Sequence, residues 1–197
     1  MHLTVTLRKQ ILDCKSDQAI AGIPDTGKHL VSGAQAPDGW VIERATSDDI
    51  DELMAWFPDA KAIRVWGGPH FRYPISRDAF HADCRWRDMA TFCVRDPQNR
   101  FSAFGQLYAK HERINLARLV VHPELRGGGV GKRLVAMLMQ VGPALMSLDE
   151  YSLFVYRDNT PALKCYESMG FVIRDYPYDD PLVDACFYLT RSVDGGA

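Results

Sequence analysis

The residues with the plainest chemical meaning are Arg126-Gly127-Gly128-Gly129-Val130-Gly131, followed by Lys132 and Arg133. A strand-like run ending at Val121 leads through His122-Pro123 into this glycine turn, and a helical pattern begins at Val130. The first amides of a helix have no backbone acceptors, the helix dipole adds partial positive charge, and glycines let a guest approach the backbone closely. With Arg126, Lys132 and Arg133 beside it, the turn is expected to hold an anion, a phosphate or diphosphate. Two familiar phosphate motifs do not fit. G-x-x-x-x-G-K-[ST] anchored on Gly131-Lys132 needs glycine at 126 and Ser or Thr at 133, where Arg126 and Arg133 stand. G-x-G-x-x-G begun at Gly127 needs glycine where Lys132 stands. A tight strand-to-helix turn with no guest is the competing reading.

Several elements must position that turn. Residues 40–45 read as a first core strand. Ser47 is expected to cap a helix with Ile50, Leu53, Met54 and Phe57 on one face, ended by Pro58. Ser76 is expected to cap a short helix through Phe80. Residues 91–94, 101–109 and 113–121 then form an antiparallel meander. From Val130 the residues Leu134, Met137, Leu138 and Val141 share a helical face, and Gly142-Pro143 is expected to stop that helix. Residues 152–156 form another strand, Thr160-Pro161 opens a helix that Gly170 ends, and residues 185–189 form the last strand.

Composition sets the outer bounds. A chain of 197 residues, 47% hydrophobic and 24% charged, supports one α/β domain with a real core and excludes collagen, coiled-coil and disordered classes. Lys plus Arg number 23 against 25 acidic residues, a net of −2, which argues against a nucleic-acid partner. No apolar run approaches the roughly 18 residues of a membrane span, so no membrane partner is expected. Cys14, Cys84, Cys93, Cys165 and Cys186 are odd in number, widely spaced and form no C-x-x-C, which points to the reducing cytoplasm and to no metal site. In residues 1–39, Leu3, Val5 and Leu7 alternate as in a strand, but residues 22–39 are rich in Gly, Pro, Asp and Ser. They read as an extension or arm before a domain at 40–191 and a tail at 192–197.

The glycine turn and a second, later pattern together resemble the GNAT superfamily of acetyl-CoA-dependent N-acyltransferases. Leu119-Val120-Val121-His122-Pro123 with Arg126 to Gly131 is similar to its Q/R-x-x-G-x-G/A signature. Leu153, Val155, Asn159, Ala162, Tyr166, Gly170 and Phe171 are similar to its L-x-V-x-x-x-N-x-x-A-x-x-x-Y-x-x-x-G-F. The resemblance spans residues 40–190 and is densest in 116–171. It implies a GNAT fold: a central mixed sheet of about six to seven strands, splayed between the fourth and fifth and flanked by helices. It also implies acetyl-CoA as cosubstrate, with coenzyme A as product. Its pantetheine arm would lie against Leu119, Val120 and Val121, and its diphosphate on Arg126, Gly127, Gly128, Gly129, Val130, Gly131 and Lys132. Asn159 would contact the pantetheine, the Val121 N–H the thioester carbonyl, and the Tyr166 hydroxyl would protonate the departing thiolate. An unperturbed tyrosine titrates near about 10, so it holds its proton at neutral pH.

The implied activity is acetyl transfer to a primary amine of a small molecule or peptide, by direct attack through a tetrahedral intermediate. A non-catalytic acyl-CoA-binding sensor with the same fold is the alternative. In the branch that acetylates ribosomal-protein N-termini a glutamate follows the leucine of the second pattern; here Phe154 stands there, so that branch's base is missing. Glu112, His122, Glu150 or a water chain remain as bases. The family builds its acceptor site between the first two strands. There Trp66, His70, Phe71 and Tyr73 flank Gly67-Gly68-Pro69, either as core or as walls that favour a cation. Asp48, Asp49, Asp51, Glu52 and Asp59 make the region acidic, as a cationic acceptor or a solvated helix face would require. An exposed sheet edge allows a homodimer, as in other members.

Overall fold

The computed structural model describes residues 34–86, 88–180 and 183–195; the strand read at Leu3 to Leu7 and Cys14 lie outside them. Strand β1 (Ala34–Gln35) pairs antiparallel with β2 (Val41–Arg44), so the sheet begins inside the stretch read from sequence as an arm. Next come α1 (Asp49–Ala55), α2 (Ala60–Gly67) and α3 (Arg77–Asp83). The meander β3 (Ala90–Arg95), β4 (Phe101–Lys110) and β5 (Arg113–Val121) follows, then α4 (Val130–Met146). The chain closes with β6 (Glu150–Tyr156), α5 (Thr160–Glu167), β7 (Val172–Arg174) and β8 (Cys186–Ser192). The sheet order is β1-β2-β3-β4-β5-β6-β8-β7. From β2 onward that makes seven strands, with β5 and β6, the fourth and fifth, as the parallel pair.

Both sheet faces are covered, which explains why β3 and β4 are almost wholly buried and read as continuous apolar runs. One core joins α4 to Phe92, Val94, Leu107, Ile114, Leu116, Tyr151, Leu153 and Leu189. The other joins Ile50, Leu53, Ile63 and Phe80 of α1–α3 to Cys93, Phe104 and Val120. Alternation along β3 divides Phe92 and Val94 from Cys93, as a pleated strand requires. Among the described residues no helix is long and apolar enough to cross a membrane.

Four local expectations change. Ser47 is not the cap of α1; Asp48 is, without a side-chain bond, because the neighbouring Asp49 carboxylate instead accepts from the Thr46 N–H and hydroxyl. Helix α2 was hidden among aromatic residues and is started by Asp59, whose side chain accepts from the Ala62 N–H at 2.8 Å. Asn159, not Thr160, caps α5. Gly142-Pro143 does not stop α4, which runs on to Met146. Pro143 deprives the Met139 carbonyl of its helical donor. The Tyr151 hydroxyl supplies the replacement at 2.5 Å, so the helix continues with its carbonyl satisfied. Gly142 marks a close approach rather than an end, since a Cβ there would lie 3.2 Å from Ile114 and 3.5 Å from Tyr151.

Candidate active site

The glycine turn joins β5 to α4. Gly127 and Gly129 have φ of +80° and +83°, backbone that L side chains rarely adopt, and a Cβ on either would meet no atom within 4 Å. The turn is therefore open on its outer side. The Arg133 N–H donates to the Gly129 carbonyl at 3.2 Å as the first bond of the helix. The amides of Val130, Gly131 and Lys132 consequently lack intrahelical acceptors and face a prospective anion. Of the three cations expected beside it, Lys132 is exposed. Arg126 folds back so that its Nε donates to the Val121 carbonyl at 3.3 Å. Arg133 is turned away: it pairs with Asp38 at 2.6 Å and lies 4.7 Å from the Trp40 ring, clamping the β1–β2 turn to α4.

The strand before the turn is irregular. Phe104 pairs with Val120 and Gln106 with Ala117, so Gly105 faces two residues, Arg118 and Leu119, and β5 bulges. Arg118 takes φ +51°. The Trp66 indole N–H donates to its carbonyl at 2.7 Å, and its guanidinium donates to the Cys84 carbonyl at 3.2 Å and to Gln106 Oε1 at 2.7 Å. Beyond the bulge, the His122 N–H donates to the Ser102 carbonyl. Because donors alternate sides along a strand, Val120 faces β4, whereas Val121 turns its backbone groups away from β4, toward β6. On that side β5 and β6 pair only through Ile114 with Tyr151 and Asn115 with Ser152. Past that point they part, leaving unpaired backbone on both, and the gap runs to the glycine turn.

Tyr166 lies in the last turn of α5, half-buried against the α4 core, with its ring centroid 6.2 Å from Phe171 in an edge-on contact. Burial, with a smaller contribution from Cys165, pushes its hydroxyl well above the ordinary tyrosine range. Asn159 Oδ1 accepts from the Ala162 N–H at 3.3 Å, the cap bond that begins α5. Gly170, at φ +83°, ends the helical segment as expected, and the Phe171 N–H returns to the Tyr166 carbonyl.

The candidate bases separate by position. Glu112 sits at φ +58° in the β4–β5 turn, and Glu150 pairs with Arg113 at 2.6 Å. Both lie at the paired end of β5 and β6, roughly 26–30 Å along the strand from Val121 at about 3.3 Å per residue. His122 lies at the open end, edge-on to Trp56 at 5.2 Å, with Nδ1 accepting from the Glu124 N–H at 3.3 Å. The aromatic segment also divides. Phe71 is buried and Trp66 stacks between Phe57 and Phe80, so both are core, while His70 and Tyr73 are exposed. Asp49 is no surface acid; it is buried and bonds to Arg95 at 2.6 Å. Asp59 is a helix cap, and Asp48 and Asp51 stand 3.8 Å from Arg77.

Sequence reasoning missed one group altogether. On the face of β6 opposite α4, Phe154 meets Tyr176 and Tyr188 at centroid distances of 5.0 and 5.1 Å, and Lys110 Nζ lies 5.3 Å from the Phe154 centroid. His111 bonds to the Tyr176 hydroxyl at 3.0 Å and stacks on Tyr178 at 3.7 Å. These residues come from the end of β4, the β4–β5 turn, β6, β8 and the β7–β8 connection, so no local spacing announces them.

A family model described as the acetyltransferase (GNAT) family matches residues 51–171. The chain is 30% identical over 138 residues to a mycothiol acetyltransferase of Clavibacter sepedonicus, covering 70% of this chain and 44% of that protein. It thus spans less than half the length of that relative. It is 29% identical over 124 residues to the peptidyl-lysine N-acetyltransferase YiaC of Escherichia coli (strain K12), covering 59% of this chain and 74% of that one. Among solved structures, spermidine N-acetyltransferase from Vibrio cholerae in complex with CoA and spermine shares the fold, with TM-score 0.63 at 16% identity over 80% of this chain and 97% of that one.

Proposed function

The chain belongs to the acetyltransferase (GNAT) family, and from that membership we propose that it moves the acetyl group of acetyl-CoA to a primary amine by direct attack. The observation that carries this reading is the gap between β5 and β6, which opens onto the glycine turn of α4. In this reading Leu119 and Val121 offer backbone groups to the pantetheine arm as a neighbouring strand would, and the amides from Gly127 to Lys132 hold the diphosphate. In the same reading Asn159, the residue that caps α5, contacts the pantetheine. The Val121 N–H donates to the thioester carbonyl and stabilises the charge that develops on its oxygen.

The amine nitrogen attacks the carbonyl carbon, a tetrahedral intermediate forms, and its collapse breaks the C–S bond. Tyr166 gives its phenolic proton to the leaving thiolate and regains one, through water, from the nitrogen that attacked. Burial supports that role because it keeps the hydroxyl protonated at neutral pH. His122, alone of the three candidate side chains at the open end of β5, or a water takes the proton that the acceptor must lose before attack. The names of two similar proteins, spermidine N-acetyltransferase and peptidyl-lysine N-acetyltransferase, support an amine acceptor. Exposed Val172 and Ile173 on the edge strand β7 support a homodimer through that edge, and the free thiols of Cys84, Cys93, Cys165 and Cys186 suit the cytoplasm.

The test is thermal melting with acetyl-CoA together with thiol release over a panel of amines. Acetyl-CoA raises Tm, Gly129→Glu abolishes the rise, and at least one amine drives thiol release that Tyr166→Phe slows by roughly 100-fold or more. No Tm shift with the intact chain refutes cosubstrate binding. A shift without thiol release from any amine favours the non-catalytic acyl-CoA sensor, and undiminished release in Tyr166→Phe removes that residue from the mechanism.

A further inference from the structure

Phe154 stands two residues beyond the last β5–β6 pair, Asn115 with Ser152, on the face of β6 turned away from α4. The opposite face is filled by α4 and α5, so an amine reaching a thioester in the gap arrives from the Phe154 side. That side carries a ready recognition site for a cation. Faces of Phe154 and Tyr176 converge with the Asp180 carboxylate, and an ammonium within about 6 Å of an aromatic centroid is attracted by the ring. The site is already filled by the chain itself. Lys110 Nζ lies 5.3 Å from the Phe154 centroid, 5.7 Å from that of Tyr176 and 3.6 Å from Asp180 Oδ2, with 10% of the Lys110 side chain and 16% of Asp180 exposed. His111 and Tyr188 brace Tyr176, the first by a hydrogen bond and the second by an edge-on contact at 4.9 Å.

We propose that Lys110, seated against Phe154 and Tyr176 and paired with Asp180, occupies the cation subsite of the acceptor groove and restricts the acceptor to amines without a second positive charge. The inference rests on the acetyl-transfer reading above and deepens it by naming the acceptor class. Asp180 is neutralised by Lys110, and Arg113 nearby is neutralised by Glu150. A guest bearing a second ammonium therefore meets a fixed cation where its own charge would have to go. Specificity here comes from an occupied site, a repulsive element built into the groove, rather than from added contacts.

Binding of n-propylamine and 1,3-diaminopropane to the full chain saturated with coenzyme A, measured by calorimetry, tests this without requiring turnover. Wild-type protein is expected to bind n-propylamine at least tenfold more tightly than 1,3-diaminopropane. Lys110→Ala removes the fixed cation from beside Phe154, Tyr176 and Asp180, so the diamine should bind at least tenfold more tightly than the monoamine. Asp180→Asn with Lys110→Ala should erase that preference. Should Lys110→Ala fail to fold, Lys110→Met keeps the apolar stem and carries the same expectation. A wild-type protein that binds the diamine as tightly as the monoamine or more tightly, or a Lys110 variant with an unchanged ratio, overturns the proposal. Thiol release with n-propylamine is followed in parallel, so that failure of acetyl transfer is seen separately from failure of the diamine discrimination.

Discussion

Removing one hydroxyl at the far end of α4 measures how the helix survives its internal proline. Pro143 has no N–H, so the Met139 carbonyl one turn earlier loses its donor, and the Tyr151 hydroxyl of β6 takes that place at 2.5 Å. Tyr151→Phe keeps the ring, which is buried against the α4 core, and deletes only the donor. Leaving a carbonyl without a partner costs about 1–3 kcal/mol. For a chain of 197 residues each kcal/mol moves Tm by roughly 2–4 °C, so Tyr151→Phe should melt about 2–12 °C below wild type. In a Pro143→Ala background the N–H of the substituted alanine can serve the same carbonyl, and the cost of Tyr151→Phe should fall to about 0.5 kcal/mol or less, the remnant of a redundant hydrogen bond. The double-mutant cycle, read by denaturant unfolding, should therefore show a coupling of about 0.5–2.5 kcal/mol. Acetyl-CoA affinity should stay constant throughout, because Gly129 and Pro143 lie about 21 Å apart along the helix at 1.5 Å per residue. Equal costs of Tyr151→Phe in both backgrounds would refute the compensation.

Three further outcomes follow from the same geometry. Gly129→Ala clashes with no atom within 4 Å but holds φ at +83°, so it should cost about 1–2 kcal/mol of stability and, by projecting a methyl onto the open turn, weaken acetyl-CoA binding at least tenfold by calorimetry. Tyr166, raised above its ordinary value by burial, should stay protonated past about pH 10, so kcat should show no alkaline fall below that pH. A limb below pH 10 that vanishes in Tyr166→Phe would contradict the assignment. Asp96, although burial opposes its ionisation, is held below the usual carboxylate range by hydrogen bonds from the Arg100 and Gln98 amides and the Arg100 guanidinium. Its stabilisation is present above about pH 4 and lost as pH falls through its lowered value, so Asp96→Asn should be destabilised by about 1–3 kcal/mol at pH 7 and the gap should close in acid.

Local patterns were legible where one element's own chemistry decides them. The 3.6-residue period announced α4, Ser76 announced α3 with its side chain accepting from Ala79, and Asp96-Pro97-Gln98-Asn99 announced the β3–β4 turn. They failed where a neighbour in space overrides the local signal. Gly142-Pro143 has the composition of a helix stop, yet a tyrosine on β6 supplies the missing donor. Asp49 has the look of a solvated first-turn acid, yet Arg95 on β3 draws it into the interior. Arg133 has the spacing of an anion ligand, yet Asp38 and Trp40 claim it.

By itself the sequence determined the site's vocabulary: a glycine turn at the start of a helix, a tyrosine at a fixed distance past a capping asparagine, and the family those spacings resemble. Such features are local, since positive φ at Gly127 and Gly129 and free amides at a helix start depend on a few consecutive residues. Only the tertiary structure decided where β5 and β6 part, because that follows from a bulge opposite Gly105 pinned by Trp66 and Gln106 from other elements. It alone also seated Lys110 of β4 against Phe154 of β6 and against Tyr176 and Asp180 of the β7–β8 connection. Chemistry that one segment performs is written in order along the chain, whereas discrimination among acceptors depends on distances between segments, which folding sets.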